Sequence, residues 1–276
     1  MSVVESKTTL IALQSLKSAG VDAARASERL ATGLRINQAS DDPAGLGKAS
    51  ALKAEISSFG QVKKNINAAL GDLDRVNDGL SSISDYLVEM RTLALASAGE
   101  SDSAVRANYN TQFTELITGI GEIVAATKFA DTAVLATGGS TQKVQVGISG
   151  AAADSKSLAF TAADATTLGV GALDISTVTA AATAISTIET AIDSVGSKLA
   201  KVGGFQSSLE GYSDLADSSV LSKTSQYGDI MNADLALEAS NLASAKIRQD
   251  AATAVLAQAN SMNRNIADYL LNGALG

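Results

Sequence analysis

The chain of 276 residues contains no cysteine, no histidine and no tryptophan, and Pro43 is its single proline. Without imidazole or thiol side chains it can form no Ser-His-Asp or Cys-His catalytic site, no zinc finger and no histidine- or cysteine-ligated haem or iron–sulfur cluster. Catalysis would have to depend on carboxylates, lysine, tyrosine or serine. The lack of cysteine also rules out disulfides, and it is compatible with both the cytosol and the exterior.

Large side chains are scarce as well. Aromatic residues make up 4% of the chain, whereas alanine alone contributes 50 residues. Such a composition favours closely packed helices over a deep ligand pocket. The net charge of −8 argues against nucleic-acid binding, which usually needs a basic surplus on one face.

No membrane segment or cleavable signal is evident. No apolar run reaches the ~18 residues of a membrane-spanning helix. Near the start, Glu5 and Lys7 interrupt what would have to be the apolar part of a secretory signal. We therefore expect a soluble protein without membrane insertion which, if it leaves the cell, is secreted without a cleaved signal peptide.

A seven-residue apolar repeat extends from residue 52 to residue 97. A repeat of this length predicts one long helix whose apolar seam must pack on other helices, because helix formation alone does not offset the entropy of ordering the chain. The two seam positions are filled by Leu52, Phe59, Ile66, Leu73, Leu80, Leu87 and Ala94, and by Val62, Ala69, Val76, Ile83, Met90 and Ser97.

Further helices can supply the partners. Residues 185–209 follow the same repeat with Gln206 as one polar defect, and residues 109–123 predict a shorter helix. Together these segments predict a bundle of long helices built from both halves of the chain. Residues 8–36 and 233–271 are amphipathic too, but each has too little large apolar surface to fold alone. In the first, the expected stripe is Leu13, Leu16, Ala23, Leu30 and Leu34.

Breaks between the helices are well marked. Asp42 is a good N-cap for a helix with Pro43 at its first position, where the missing N–H costs nothing. Residues 98–103 separate the long helix from the shorter one. Between 129 and 182, glycines interrupt short alternating segments such as Lys143–Val146, which predict a small β-hairpin region at the outer tip of the bundle.

Three short motifs resemble catalytic or ligand sites, and each is better explained structurally. Residues 45–48 (GLGK) lack the Ser or Thr that a phosphate-binding loop needs after its lysine. Residues 72–79 resemble a calcium loop but keep the heptad seam intact and lack the required glycine. Asp41 and Asp42 beside Pro43 are typical of a cap and turn rather than an acid–base pair. We therefore expect no catalytic, metal or cofactor site, and no enzyme.

Two longer motifs resemble bacterial flagellin, the subunit of the flagellar filament. Residues 27–45 read SERLATGLRINQASDDPAG, and residues 255–260 read VLAQAN. Residues 90–98 (MRTLALASA) and 127–129 (TKF) match less closely. The motifs cover both terminal thirds of the chain, and the first two are specific.

The resemblance implies a mainly α fold, a long antiparallel helical hairpin or coiled-coil bundle built from both termini. Residues 1–37 and 233–276 would form an inner coiled-coil domain, residues 38–128 and 183–232 an outer helical bundle, and residues 129–182 a variable surface region. It also implies unfolded export through the flagellar type III apparatus, and polymerisation into an extracellular filament for swimming motility.

The implied partners are other copies of the chain, hook-associated junction and cap proteins, the export apparatus and an export chaperone at the C-terminus. Serine or threonine residues within 131–190 are candidates for glycosylation. The candidate residues for subunit contacts and assembly are Leu13, Leu16, Leu30, Leu34, Arg35, Asn37, Asp41, Asp42, Arg91, Leu93, Leu256, Gln258, Asn260 and Ile266.

Some positions depart from the family pattern. The usual Asn-Thr-Asn start is replaced by residues 3–7 (VVESK), and the tail at 271–276 (LNGALG) does not end in a basic residue. Flagellins detected by the innate immune receptor carry a basic residue two positions before the one matched by Arg91. Here that position is Glu89, so weak receptor activation is expected.

Two other interpretations remain open. The protein at the junction of hook and filament shares the helical hairpin and the Asp-Asp-Pro turn. An amphipathic helical protein of membrane surfaces, or a translocator, is a different class. That class needs a basic polar face and large apolar residues, which this acidic, tryptophan-free chain lacks.

Overall fold

A computed structural model describes residues 3–273, apart from the side chains of residues 3–6, 8, 263 and 266–273. The described chain is mainly helical, with a small antiparallel β-region, as the sequence predicts. None of its helices combines the length and the apolar character needed to cross a membrane. The long helices are α1 (Val3–Thr32), α2 (Pro43–Gly99), α3 (Ser103–Ala126), α4 (Val178–Met231) and α5 (Leu235–Gly273).

The strands lie between α3 and α4 and form two separate hairpins. Strands β1 (Lys128–Phe129) and β2 (Thr132–Ala133) form a very short one, and β3 (Ser140–Gln145) pairs with β4 (Ser155–Phe160). The β3–β4 hairpin confirms the strand prediction around Lys143. Helix α4 already begins at Val178, before the predicted residue 183.

The chain divides into two compact units. The terminal unit comprises residues 1–54 and 223–276, and the central unit comprises residues 55–222.

The core of the central unit confirms the heptad prediction. Every predicted seam position of α2 within this unit is buried except Phe59, which is half-buried. The first buried positions of α4 follow one another at intervals of three or four residues, as at Ala181, Ala184 and Ile188. The strands and the loop before α4 extend the same core. Its largest fully buried side chains are Ile66, Leu73, Leu80, Ile83, Leu87, Met90, Phe113, Ile120, Leu135, Leu158 and Ile175.

Polar contacts join α2 to α4 around this core. The polar defect Gln206 donates from Nε2 to Asp74 Oδ1 at 2.7 Å. Lys63 pairs with Asp217 at 2.7 Å, and Arg91 pairs with Glu189 at 2.6 Å. Exposed pairs of this kind contribute only about 0–1 kcal/mol each, so the apolar seam carries most of the stability.

Candidate assembly surface

Helices α1 and α5 of the terminal unit pack against each other through alanine. Their Cα atoms come within 8 Å of one another along the pair. Such a close approach is possible because small side chains occupy the contact. The buried residues recur every seven positions, as in a coiled coil: Ala12, Ala19 and Ala26 on α1, and Glu238, Ala245 and Ala252 on α5.

The predicted stripe on the first helix is therefore partly wrong. Leu13 lies on the outside, with 56% of its surface exposed, and Leu34 lies beyond the end of α1. Leu16, Ala23 and Leu30 do flank the buried alanines and are half-buried. The prediction gave weight to large apolar residues, whereas the close approach of two backbones makes alanine the contacting residue.

One ion pair interrupts the alanine contact. Arg29 Nη1 lies 2.9 Å from Glu238 Oε1, with 29% of the arginine side chain and 8% of the glutamate side chain exposed. Asn241 Nδ2 donates to the other glutamate oxygen at 3.2 Å. A buried carboxylate needs such partners, because an unpaired charge in this position would be strongly destabilising. A second pair, Asp22 with Arg248 at 3.1 Å, lies at the surface.

Several large apolar side chains are exposed on α1 and α5. A surface groove of about 440 Å³ lies between the two helices and is lined by residues such as Ile11, Ser15, Arg248, Ala252 and Val255. Exposed apolar side chains that line a groove, as Ile11 and Val255 do, usually mark an interaction surface. We call this set the outward apolar face: Leu10, Ile11, Leu13 and Val21 on α1, and Leu235, Leu237, Ile247, Val255 and Met262 on α5.

A turn at residues 33–42, the junction turn, connects α1 to α2. Gly33 ends α1 with a φ of 70°, a conformation that favours glycine, and its N–H donates to Arg29 O at 2.8 Å. Leu34 then forms an antiparallel bridge with Asn232. Ile36 is buried next to Met231 and Ala49, in a small apolar cluster of the terminal unit.

Arg35 joins the junction turn to the end of α4 through hydrogen bonds. Its guanidinium donates to Ile230 O from Nε at 3.2 Å and from Nη2 at 2.8 Å, and its own N–H donates to Met231 O at 2.6 Å. The guanidinium also lies 3.5 Å from Asp42 Oδ2. One side chain thus connects the carbonyl end of α4 to the start of α2.

The two adjacent aspartates have separate structural roles, as the sequence predicts. Asp42 Oδ1 accepts the N–H of Gly45 at 2.8 Å and caps α2, which begins at Pro43. Asp41 Oδ2 accepts the N–H groups of Gln38 at 3.0 Å and Asn37 at 3.1 Å. These hydrogen bonds stabilise the carboxylate and lower the pKa of Asp41 below its usual value.

The candidate residues fall into separate groups. Leu34, Arg35, Asn37, Asp41 and Asp42 meet at the junction turn. Leu13, Leu16 and Leu30 lie on α1, and half-buried Leu256 and exposed Gln258 and Asn260 lie on α5. Arg91 and Leu93 belong to the central unit. Ile266 lies on α5, but its side chain is outside the described part of the chain, as are the tips at 1–2 and 274–276.

Sequence reasoning missed Arg29 and Glu238, and it missed the buried alanines. The seven-residue recurrence of Ala12, Ala19 and Ala26 was a usable signal. It is weak in a chain in which alanine is so frequent, because many other alanine spacings also occur.

Two family models match the chain. "Bacterial flagellin N-terminal helical region" matches residues 5–140, and "Bacterial flagellin C-terminal helical region" matches residues 185–270. Together they cover about four-fifths of the chain, including α1, most of α4 and nearly all of α5.

Curated relatives match one part of the chain each. A flagellin of Halalkalibacterium halodurans is 32% identical over 124 residues, covering 45% of this chain and 46% of the relative. A flagellin of Listeria monocytogenes is 33% identical over 122 residues, covering 43% and 42%. The flagellar filament 41 kDa core protein of Borreliella burgdorferi is 28% identical over 138 residues, covering 49% and 41%. The matches thus span less than half the length of these relatives.

Two solved structures are similar in fold. The crystal structure of Bacillus cereus flagellin matches with a TM-score of 0.50 and 25% identity, covering 55% of this chain and 88% of that one. The structure of a putative flagellar hook-associated protein from Vibrio parahaemolyticus matches with a TM-score of 0.58, covering 70% and 100%. At 17% identity, the second likeness concerns the fold alone.

Proposed function

Because the chain belongs to the bacterial flagellin family, we propose that it is a structural subunit that polymerises with copies of itself into the filament of a bacterial flagellum. The observation that carries this proposal is the outward apolar face of α1 and α5. The two helices use alanine for their closest contact and leave larger apolar side chains such as Leu13 and Ile247 exposed.

Leaving such side chains in water is unfavourable by about 25 cal/mol for each Å² of apolar surface. Ile247 is 68% exposed and Leu13 is 56% exposed, although the same helices bury alanine. A helix pair with this arrangement gains stability when another apolar surface covers it. A second copy of the chain supplies that surface, since each copy presents the same apolar residues.

The finer parts of the proposal follow from the family. Residues 1–37 with 233–276 form an inner coiled-coil domain, and residues 38–128 with 183–232 form the outer bundle. The subunit is exported unfolded by the flagellar type III apparatus without a cleaved signal peptide, and it assembles outside the cell for swimming motility. Its partners are neighbouring subunits, the hook-associated junction and cap proteins, and a C-terminal export chaperone. The absence of cysteine suits this route, because no disulfide can trap the chain during export.

Polymerisation of the purified full-length chain tests the proposal. After addition of ammonium sulfate or filament seeds, electron microscopy should show long tubes and sedimentation should show most of the protein in the pellet. Chains lacking residues 1–37 or 233–276 should stay in the supernatant while circular dichroism reports a folded central unit. Failure of the full-length chain to form tubes under any of these conditions would contradict the proposal.

A matched pair of point variants tests the apolar face itself. Ile247→Gln removes an exposed apolar side chain from α5 and should raise the concentration needed for polymerisation at least about tenfold, the equivalent of 1.4 kcal/mol. Ala243→Gln changes an exposed alanine one turn away and should have little effect. Equal polymerisation of the two variants would exclude Ile247 from the subunit contact.

A further inference from the structure

The apolar pattern of the α1–α5 pair does not by itself define a register. On α1 the contact positions carry alanine at 12, 19, 23 and 26 and leucine at 16 and 30. On α5 they carry alanine at 245, 252 and 259, leucine at 242 and 256, and the polar residues Glu238 and half-buried Gln249. The helices run antiparallel, since Arg29 meets Glu238 whereas Asp22 meets Arg248. In an antiparallel pair, residues that face each other have numbers with a nearly constant sum, which is 267 for Arg29 with Glu238 and 270 for Asp22 with Arg248. By this rule Ala23 falls opposite Ala245, and Leu16 falls opposite Ala252.

A shift of α5 by one heptad would preserve this packing. Ala23 would then fall opposite Ala252, and Leu16 would fall opposite Ala259. The layers would again combine alanine with alanine or with one larger residue, and the polar Gln249 would fall opposite Ala26 instead of Ala19. Because the alanine repeat is uniform, burial of apolar surface discriminates poorly between the two registers.

The shifted register would also avoid the unfavourable burial of the Glu238 carboxylate. In the observed register Glu238 is only 6% exposed, the most buried charged residue on either helix among the described side chains. Burying a carboxylate costs free energy unless it is paired, and here Arg29 and Asn241 pair with both of its oxygens. A polar residue in an otherwise apolar seam is a known means of specifying register at some cost in stability.

We propose that the Arg29–Glu238 ion pair is the register-setting contact of the α1–α5 coiled coil, and that Arg29 and Glu238 are positioning residues for the outward apolar face. In the observed register the pair is satisfied, whereas a one-heptad shift would separate the two charges by about 10 Å along the axis. The outward apolar residues of α1 and α5 would shift past each other by the same distance. The inference deepens the proposed function, since neighbouring subunits would need that face in one defined arrangement.

The backbone bridge between Leu34 and Asn232 is the competing explanation. It lies just beyond the two helix ends and holds Gly33 O to Ala233 N at 2.9 Å. If it alone fixed the register, the ion pair would contribute only to stability. The two explanations differ in what happens when the pair is replaced by apolar side chains, which fit either register.

Pairs of cysteines can report the register, because the chain has no other thiol. Ala23→Cys with Ala245→Cys forms the native reporter, and Ala23→Cys with Ala252→Cys forms the shifted reporter. Two cysteines a heptad out of place cannot be bridged without backbone movement, so the native reporter should oxidise at least about tenfold faster than the shifted one. The measurement is made on dilute full-length chain and again after polymerisation, with intrachain disulfides identified by mass spectrometry.

Four changes in this background test the ion pair. In Arg29→Leu with Glu238→Leu, the ratio of native to shifted cross-linking should fall at least about fivefold, since an apolar pair fits both registers. Glu238→Gln keeps the side-chain shape and should lower the ratio less. Arg29→Glu with Glu238→Arg should restore it in part, because the swapped charges oppose the helix dipoles. Removal of the exposed ion pair, by Asp22→Ala with Arg248→Ala, should leave the ratio of native to shifted cross-linking unchanged.

An unchanged ratio in the leucine pair would overturn the inference and assign the register to the backbone bridge. So would the absence of native cross-linking in the otherwise unaltered chain, both before and after polymerisation. Circular dichroism establishes that each variant is helical. Failure of the unaltered chain to polymerise would count against the proposed function alone, because the cross-linking ratio is measured within one chain.

Discussion

The Ser97 hydroxyl, at the last position of the α2 heptads, donates a hydrogen bond to the carbonyl oxygen of Ile175. Both residues are fully buried in the central unit. The contact holds the loop before α4 against α2, and Asn110 Oδ1 of α3 accepts the N–H of the same Ile175 at 2.9 Å. The one serine in the apolar seam of α2 thus makes a specific buried hydrogen bond.

Replacing Ser97 with alanine should destabilise the central unit by about 1–3 kcal/mol, because the buried Ile175 carbonyl loses its donor. Urea unfolding of the full-length chain, followed by circular dichroism, measures the change. Ser81→Ala is the control, since Ser81 is exposed on the same helix. Equal stability of the two variants would show that another group satisfies the carbonyl.

Gly79→Ala should destabilise the central unit, although the same change in an open helix stabilises by about 0.5–1 kcal/mol. A Cβ at position 79 would overlap with the Thr127 hydroxyl, so α2 would have to move away from the end of α3. The expected loss is about 1–3 kcal/mol, typical of overpacking, in the same unfolding assay. Gly71→Ala, where a Cβ meets nothing within 4 Å, should instead be stabilising. A stabilising Gly79→Ala would contradict the packing described for Thr127.

The junction turn should weaken in acid because of Asp41. The backbone N–H groups of Gln38 and Asn37 hold the pKa of Asp41 below its usual value of 3.8. The charged carboxylate therefore stabilises the turn at pH values above the unfolded pKa, and this contribution is lost as the pH falls through the folded pKa.

Asp41→Asn should accordingly lower stability relative to the unaltered chain at pH 7, and by less at pH 2, as measured by urea unfolding at each pH. Gln38→Ala is the control, because its backbone N–H remains available to Asp41. A deficit of the same size at both pH values would mean that the carboxylate charge does not matter.

Glu89 should limit activation of the innate immune receptor. Its side chain is exposed on α2, and two residues on, Arg91 is paired with Glu189. Family members that the receptor detects carry a basic residue at the position of Glu89, so the purified monomer should give a weak response in a receptor reporter assay.

Glu89→Arg should raise that response at least about tenfold, equivalent to 1.4 kcal/mol of binding. Asp85→Arg makes the same charge change one turn earlier, at another exposed position, and should have a smaller effect. A strong response from the unaltered monomer would refute the prediction.

The helices with large apolar seams were predictable in detail. The repeat through Leu73, Leu80 and Leu87 matches the buried face of α2, because a wide apolar stripe has only one favourable side. The cap at Asp42 and the helix start at Pro43 were equally clear, since a proline at the first position and an acid before it form a local signal.

The β1–β2 hairpin was not predictable. Its turn places Ala130 and Asp131 at φ values of 45° and 64°, where glycine or asparagine is usual. Asp72 Oδ2 accepts the N–H of Ala130 at 3.0 Å and so supports the turn from α2, far away in sequence. No local pattern around Ala130 could reveal that support.

The residue pattern alone predicts that the chain is helical, where α2 begins, and which large side chains of α2 form the core of the central unit. That α1 and α5 meet through Ala19 and Ala245 and leave Leu13 outside follows only from the packing of the two helices. The physical reason is that an alanine gains little from burial wherever it lies, so its role depends on how closely another backbone approaches. In this pair the backbones come close enough for alanine to fill the contact, and several larger apolar residues, Leu13 among them, are exposed.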